Sequence, residues 1–188
     1  MNDKVRCAWA QKPLDILYHD CEWGVPVKDE HTLFEFLILE GAQAGLSWST
    51  ILQRREAYRE LYDNFDPHII AQYSAQKIDS LLQDARLIRN KLKITSSIKN
   101  AAEFIQVQKE FGSFSNYLWG FVDNKPIVNH WEHPAQVPNE TELSIRLSRD
   151  LKKRGFSFVG PTICYALMQA TGLVNDHLTT CFRHSELK

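Results

Sequence analysis

Apolar side chains recur every three to four positions along much of this chain, which predicts a succession of short helices. Asp29 is the predicted N-cap of one helix, whose apolar stripe consists of Leu33, Phe34, Phe36, Leu37 and Leu39. Further helices are predicted from Ser49 to Tyr62, after Asp66-Pro67 as N-cap and first-turn proline, after Ser74 as N-cap, and from Asn90 to Phe111. The pattern therefore predicts an all-α fold.

Two more helices are predicted in the second half of the chain, with a turn between them. Asn139 and Glu142 have the spacing of a capping box, and the helix that they open is predicted to end near Gly155, a left-handed C-terminal stop. The apolar run Ile163 to Ala170 predicts the helix after the turn. Residues 123–139, with three of the seven prolines, form the clearest loop. We expect residues 1–188 to form one unit, as a single compact domain or as two helical lobes.

The turn at residues 155–162 could bind the backbone of a nucleic acid. Gly160 can adopt backbone conformations closed to other residues and would let a phosphate approach main-chain N–H groups, and Thr162 lies at the N-terminus of the next helix. Such a helix-hairpin-helix would contact phosphates and not base sequence. The alternative is an ordinary Gly-Pro turn between two helices.

The composition indicates the size of the core and the cellular compartment, and it argues weakly against nucleic-acid binding. With 188 residues, 44% of them hydrophobic, the chain can bury a sizeable core. With a formal net charge of −1, the chain as a whole lacks the positive electrostatic potential that is typical of nucleic-acid-binding proteins. No apolar run approaches the roughly 20 residues that span a bilayer, and the first residues lack the apolar segment of a signal peptide. We therefore expect a soluble, cytoplasmic protein, without a membrane partner, whose cysteines stay reduced.

Positive charge is concentrated locally, although the net charge of the whole chain is close to zero. Basic side chains gather in two runs, which are Arg86, Arg89, Lys91, Lys93 and Lys99, and then Arg146, Arg149, Lys152, Lys153 and Arg154. Each run alone is typical of a solvated helix face, but together they make a surface that follows phosphates plausible.

Four residues of metal-binding type lie near the two ends of the chain. Cys7 and His19 come early, and His177 and Cys181 come late with the i,i+4 spacing that places both on one face of a predicted helix. Two thiolates and two imidazoles would complete a closed tetrahedral site for one structural Zn²⁺, without an open position for water. The alternative is that they are unrelated core or surface residues.

Several motifs in the right order resemble those of the bacterial 3-methyladenine DNA glycosylase I family, from about Cys7 to Cys181. The motifs are Arg6-Cys7-x-Trp9, Tyr18-His19-Asp20-x-Glu22-Trp23-Gly24-Val25-Pro26, Leu39-Glu40-Gly41-x-Gln43-Ala44-Gly45-Leu46-Ser47-Trp48 and Lys152-Lys153-Arg154-Gly155-Phe156-x-Phe158-Val159-Gly160. The resemblance implies a helix-hairpin-helix glycosylase fold and a monofunctional enzyme, expected to be a monomer. It would release 3-methyladenine from double-stranded DNA containing alkylated purines and leave an abasic site.

The resemblance also implies roles for individual residues. Zinc ligands are expected at Cys7, His19, His177 and Cys181, which would hold the chain ends and lie away from the chemistry. Glu40 is the expected catalytic residue and polar anchor for the extruded base, and the pocket is expected to be lined or supported by Trp9, Tyr18, Trp23 and Trp48. Gly45 and Leu46 are expected to contact DNA, with Leu46 as an apolar wedge in the opened base stack. Without the resemblance, these side chains would be assigned to an exposed helix face or to the core.

Two positions depart from what the resemblance implies. Related helix-hairpin-helix glycosylases commonly carry a catalytic aspartate where Asn175 stands, although Asp176 beside it leaves a shift of one residue open. An amide cannot serve as a general base, so the favoured substrate is a base that already carries positive charge and leaves readily. Asp15 stands where a tyrosine near the pocket is common, so one aromatic contact is expected to be replaced by a carboxylate.

Two other activities remain open from the sequence. The first is a zinc-stabilised protein that binds damaged or distorted duplex DNA without cutting a bond, which the residues Asp15 and Asn175 favour. The second is a zinc hydrolase, which would require an exchangeable water on the metal.

Overall fold

The computed structural model describes residues 4–187, which form mainly helices. The helices are α1 (Pro13–Cys21), α2 (Glu30–Gln43), α3 (Trp48–Leu52), α4 (Arg55–Leu61), α5 (Pro67–Ile70), α6 (Ala75–Gln83), α7 (Lys91–Phe111), α8 (Phe114–Gly120), α9 (Glu142–Arg154), α10 (Pro161–Ala170) and α11 (Phe182–Glu186). Short 3₁₀ turns cover Asp63–Phe65 and Pro134–Gln136. A two-residue strand β1 (Ile127–Val128) pairs in parallel with β2 (Val174–Asn175).

Helix α2 lies at the centre of the core. Asp29 caps it as predicted, accepting a hydrogen bond of 2.8 Å from the backbone N–H of Thr32. The helix is buried on all sides and not along one stripe, because α7, α8 and α10 all pack against it. Its buried Glu35 carboxylate is accordingly paired, at 2.5 Å with Arg55 and at 2.9 Å with Arg59.

The helix predicted from Ser49 to Tyr62 is wrong as a single element. It is two helices, α3 and α4, that break at Gln53 and Arg54. The Arg54 side chain donates hydrogen bonds of 2.8 Å to the backbone carbonyls of Ala85 and Arg86, a tertiary contact that periodicity does not reveal. The predicted N-caps at Asp66 and Ser74 are confirmed by side-chain hydrogen bonds to the first turns of α5 and α6. The helix predicted from Asn90 to Phe111 is α7, and Asn90 is its N-cap.

The helix-hairpin-helix is present as α9, residues 155–160 and α10. Its capping box belongs to Thr141 and Ser144, so the start predicted at Asn139 is wrong by two residues. Gly155 ends α9 at φ +106°, and a Cβ at that position would lie 2.8 Å from Oε1 of Glu103. The backbone conformation expected for Gly160 is wrong, because its φ of −64° is open to any residue, whereas its contact with a phosphate stays a prediction.

Two irregular regions differ from their predictions. Residues 123–139 are not a plain loop, since β1 joins them to β2 and one 3₁₀ turn follows. His177 and Cys181 do not lie on a helix. They lie in the irregular segment between β2 and α11, with Cys181 as the residue before α11. Within residues 4–187, no helix has the length and apolar character needed to cross a membrane.

Candidate active site and metal centre

A pocket of about 310 Å³ opens between α1, the C-terminal half of α2, α10 and the segment after β2. All of the predicted pocket residues line it, which are Trp9, Tyr18, Trp23, Glu40 and Trp48. The lining also includes the predicted metal ligand Cys7 and Asp176, which the sequence left open as an alternative to Asn175. Sequence reasoning missed the remaining lining residues, which are Ala8, Gln43, Pro134, Val137, Ala166, Gln169 and Leu178. Most of these are ordinary apolar residues whose place in the wall depends on which segments meet, so no local signal marked them.

Glu40 places a buried carboxyl group in an otherwise aromatic wall. Its relative exposure is 3%, so an exposed helix carboxylate is excluded. Burial raises the pKa of Glu40 to about 8. The carboxyl group is therefore mostly neutral near pH 7 in the empty pocket. A cation brought beside it would favour the ionised form.

Aromatic rings surround this carboxyl group. The rings of Tyr18 and Trp48 lie 5.3 Å apart between centroids, and those of Trp9 and Trp23 lie 5.1 Å apart. The Tyr18 hydroxyl and the Trp48 indole N–H are buried and have no hydrogen-bond partner within the described part of the chain. Burial, and then the nearby Glu40, raise the pKa of Tyr18, so its hydroxyl stays protonated. Two unsatisfied polar groups in an apolar pocket are groups that a ligand can satisfy.

The four predicted metal ligands meet in one buried cluster. The potential ligand atoms of Cys7, His19, His177 and Cys181 all lie within 4.8 Å of one another. Cys181 Sγ is 3.4 Å from His19 Nε2 and 3.5 Å from His177 Nδ1. In a tetrahedral zinc site, with bond lengths of about 2.3 Å to sulfur and about 2.0 Å to nitrogen, such atoms lie about 3.5 Å apart. The donor set and its spacing therefore fit a zinc ion.

The surroundings of the cluster also suit a metal. His19 Nδ1 contacts the Asp20 carboxylate at 2.7 Å, and Arg6 holds that carboxylate at 2.7 Å. Burial opposes ionisation of Asp20, but the hydrogen bonds from Arg6 and His19 lower the pKa of its carboxyl group. His177 Nε2 lies 3.0 Å from the carbonyl oxygen of Trp23. Each imidazole thus has one nitrogen oriented by an oxygen acceptor and the other facing the cluster, as in protein metal sites.

The cluster lies next to the pocket, so the expectation that it is remote is wrong. Cys7 belongs to both. The Trp23 ring packs against His177 at 4.5 Å, and the Trp9 ring packs against His19 at 5.3 Å. The aromatic wall of the pocket therefore rests directly on two of the four candidate ligands.

The structure separates the neighbours Asn175 and Asp176. Asn175 Nδ2 donates hydrogen bonds of 3.2 Å to the backbone carbonyls of His184 and Leu187, so its amide ties down the end of the chain. Asp176 lines the pocket. The residue that brings a side chain to the pocket is thus Asp176, the alternative that the sequence left open. Asp15 is buried on α1 and is not among the described residues that line the pocket, so the expected carboxylate in place of an aromatic contact is wrong.

The predicted DNA-contacting residues lie at two turns, where all are exposed except Gly160, which is partly buried. Gly45 has a φ of +78° with open space around it, and the Leu46 side chain that follows is 38% exposed. Gly160 also has open space around its Cα, and Thr162 is exposed in the first turn of α10. The turn at Gly45 directly follows α2, which carries Glu40.

Both basic runs supply fewer free cations than the sequence suggests. Arg86 is paired with Asp84 and Glu60, and Arg154 is paired with Asp150 and Glu110. Lys93 donates hydrogen bonds of 2.8 and 2.6 Å to the carbonyls of Ala42 and Ala44, and partial burial lowers its pKa. These three cations stabilise the protein itself.

Comparisons with known proteins agree on one family. The family model described as methyladenine glycosylase matches residues 8–184. A DNA-3-methyladenine glycosylase from Haemophilus influenzae is 49% identical over 177 residues, which cover 94% of this chain and 96% of the relative. A crystal structure of a 3-methyladenine DNA glycosylase I is 47% identical with a TM-score of 0.92, covering 95% of this chain and 98% of the other. The Staphylococcus aureus 3-methyladenine DNA glycosylase I, solved to explain its recognition of 3-methyladenine, is 36% identical with a TM-score of 0.91, covering 94% and 95%.

Proposed function

This chain belongs to the methyladenine glycosylase family, and from that premise we propose how its pocket carries out the reaction. The chain is a DNA-3-methyladenine glycosylase, a monofunctional hydrolase of the N-glycosyl bond in base excision repair. The observation that carries the proposal is a buried carboxyl group, Glu40, among aromatic rings and two unpartnered hydrogen-bond donors. Such a pocket suits a flat cation with polar edges.

The proposed recognition uses each of these groups. The extruded base stacks against the rings of Trp48 and Tyr18, with further support from Trp9 and Trp23. Base–aromatic stacking contributes about 1–3 kcal/mol, and a desolvated cation over a ring adds about 2 kcal/mol. Glu40 accepts a hydrogen bond from the exocyclic amine, while the Tyr18 hydroxyl and the Trp48 indole N–H donate to polar atoms of the bound nucleotide outside the stacked ring. These contributions offset the few kcal/mol that extrusion requires.

The reaction needs little acid or base chemistry from the protein. As the bond between C1′ and N9 breaks, its electron pair moves to the base and cancels the positive charge there. Water adds its hydroxyl to C1′ and releases a proton, which leaves an abasic site. Glu40 would act by stabilising the cationic base in its bound, reactive position, whereas an unmodified adenine gains less from the pocket and remains a poor leaving group.

Contact with duplex DNA is assigned to the two exposed turns. Leu46 would fill the gap left by the extruded base, with Gly45 allowing the turn. The hairpin at Gly160 and the exposed Thr162 at the N-terminus of α10 would bind phosphate oxygens. Because its substrate is cellular DNA, we place the protein in the cytoplasm. We expect it to act as a monomer.

The four-residue cluster would hold one structural Zn²⁺. With two cysteines and two histidines filling a tetrahedron, the ion would supply cross-linking and no reactive water. Its ligands connect the two ends of the chain, and the wall formed by Trp9 and Trp23 would depend on it. The spacing of the ligand atoms and the oriented imidazoles support this role.

Release of free base is the experiment that tests the function. Duplex DNA treated with a methylating agent is incubated with the protein, and released purines are separated and quantified. We expect 3-methyladenine in excess of the spontaneous background, without strand cleavage. DNA binding with no release above background would instead support the non-catalytic binding protein.

Leu46→Ala should reduce kcat/KM on methylated duplex DNA by about tenfold, because burying a leucine side chain between bases contributes about 1.5–3 kcal/mol and alanine retains only part of it. The affinity for free 3-methyladenine, measured by fluorescence quenching of the pocket tryptophans, should not change. Leu92→Ala is the matched control, since Leu92 is 70% exposed and lies at the start of α7. Equal losses in both variants would remove Leu46 from the proposed wedge.

The pH dependence of kcat/KM should follow the ionisation of Glu40 in the free enzyme. Only the carboxylate attracts the cationic base, and burial places the pKa of Glu40 at about 8. We therefore expect kcat/KM to rise with pH up to about 8 and then to level off. In Glu40→Gln the remaining activity should lack this transition. A profile that is flat from about pH 6 to about pH 9 in the wild type would contradict the assignment.

A further inference from the structure

Asp176 is a second buried carboxyl group in the pocket wall, and the mechanism above does not use it. It follows β2 directly, its relative exposure is 2%, and it lines the same pocket as Glu40. The two residues come from different elements, Glu40 from the central helix α2 and Asp176 from the segment that leads into the metal cluster.

The Asp176 carboxylate is held by four hydrogen-bond donors. Oδ1 accepts from Asn129 Nδ2 at 2.7 Å and from Trp131 Nε1 at 2.8 Å. Oδ2 accepts from the Tyr165 hydroxyl at 2.5 Å and from Gln169 Nε2 at 2.8 Å. Three of the four partners are amide or indole N–H groups, which can only donate, so this arrangement favours a carboxylate over a carboxylic acid. The charge is thus fixed in place at the wall.

This environment differs from that of Glu40. Burial alone raises the pKa of Glu40. Asp176 has its oxygens occupied by protein donors, so it has little capacity left to accept a hydrogen bond from the base or to take a proton from water. What it can still do is exert an electrostatic field across a pocket with a low effective dielectric constant.

We propose that Asp176 is a specificity-determining residue, a fixed negative charge that favours positive charge in the pocket, both on the methylated base and on the sugar as the glycosyl bond breaks. The inference rests on the proposed function, because it assumes that a cationic nucleotide occupies this pocket. Glu40 recognises the base by direct contact, whereas Asp176 favours a positively charged nucleotide over a neutral one through its electrostatic field. The enzyme would thereby combine one carboxyl group that contacts the base with one that acts on it only through its electrostatic field.

A structural role alone would also explain a hydrogen-bonded aspartate. The test must therefore distinguish an effect of the charge of Asp176 from an effect of its hydrogen bonds on the fold. Duplexes carrying two abasic-site analogues do this, one a cationic pyrrolidine and the other a neutral tetrahydrofuran. They share shape and backbone but differ by one positive charge at the sugar. For each protein, the ratio of the two dissociation constants is measured in the presence of free 3-methyladenine. Metal content and thermal unfolding are measured on the same preparations.

Asp176→Asn, which keeps the shape and removes the charge, should lower the preference for the cationic analogue by about tenfold and leave affinity for the neutral analogue within about twofold. Tyr165→Phe is the matched control. It removes one donor from Asp176 and keeps the charge, so the ratio should not change. An unchanged ratio in Asp176→Asn, or equal losses for both analogues, would overturn the proposal.

A second pair of variants decides the question if Asp176→Asn does not fold. Gln169 is partly exposed, lines the pocket and contacts Asp176. Gln169→Lys brings a cation to Asp176 and should lower the cationic preference, whereas Gln169→Met should not. The same ratio in both would overturn the proposal. Release of 3-methyladenine by the wild type reports separately on the function, and a wild type without release would refute both.

Discussion

Glu40→Gln should reduce the rate of 3-methyladenine release from methylated duplex DNA by about 100- to 1000-fold. The carboxylate contributes a charge-assisted hydrogen bond of about 1.5–3 kcal/mol, and its attraction to a cation nearby is of similar size. The amide keeps the shape and one acceptor oxygen but cannot carry the charge. Release at subsaturating DNA, with the free bases separated and quantified, measures the effect on kcat/KM. Wild-type rates in Glu40→Gln would remove Glu40 from the mechanism.

Stability provides the control for this variant, with a predicted sign. In the unfolded chain the Glu40 carboxyl group has the ordinary glutamate pKa of 4.5, whereas burial raises the native value to about 8. Between these values the native state binds more protons than the unfolded state, so Glu40 lowers the free energy of unfolding progressively as pH rises from 4.5 to about 8. Glu40→Gln should therefore match the wild type near pH 4.5 in urea unfolding and be more stable at about pH 9. A variant that is less stable than the wild type at this alkaline pH would show that its loss of activity reflects misfolding.

Cys181→Ser and His177→Ala should each lose stoichiometric metal and unfold at a much lower temperature. Removing a ligand breaks a cross-link between the two ends of the chain and leaves buried polar groups without partners. The expected loss is about 4–5 kcal/mol, or roughly 10–15 °C for a chain of this length. Elemental analysis of purified protein, together with calorimetry, measures both quantities.

Cys21→Ser is the matched control for the metal site, since Cys21 is exposed and lies outside the cluster. It should keep one zinc per chain and the wild-type unfolding temperature. Retention of stoichiometric zinc by Cys181→Ser would contradict the ligand set. Because the Trp9 and Trp23 rings rest on the histidines of the cluster, partial loss of metal should also reduce affinity for free 3-methyladenine.

The central position of α2 gives the pocket its two main properties. A helix buried on all sides can hold Glu40 away from water, and the same burial requires Arg55 and Arg59 to compensate Glu35. Both glutamates lie on one buried helix, but within residues 4–187 only Glu35 has arginine partners. The unpaired one faces the pocket, where the charge of a ligand can take the place of an arginine.

Local signals in the sequence predicted much of the helical fold. Capping side chains at Asp29, Asp66, Ser74 and Asn90 act through hydrogen bonds within one turn, so they can be read from adjacent residues. The break between α3 and α4 carries no such local signal, and the Arg54 side chain at the break contacts carbonyls more than thirty residues away along the chain. The irregular path from His177 to Cys181 was missed for a similar reason, since an i,i+4 spacing is compatible with a turn as well as with a helix.

The sequence by itself determined the family, the short helices, most of their caps, the residue types of a candidate metal site and the main members of the pocket. These depend on residue identity and on spacing along the chain. Only the tertiary structure decided which groups meet. It placed the candidate metal ligands behind the aromatic wall, and it turned Asn175 toward the chain end and Asp176 toward the pocket. It also paired Arg86 and Arg154, which were expected to face DNA, with acids of the protein. These outcomes depend on burial and on contacts between distant segments, and both arise only when the chain folds.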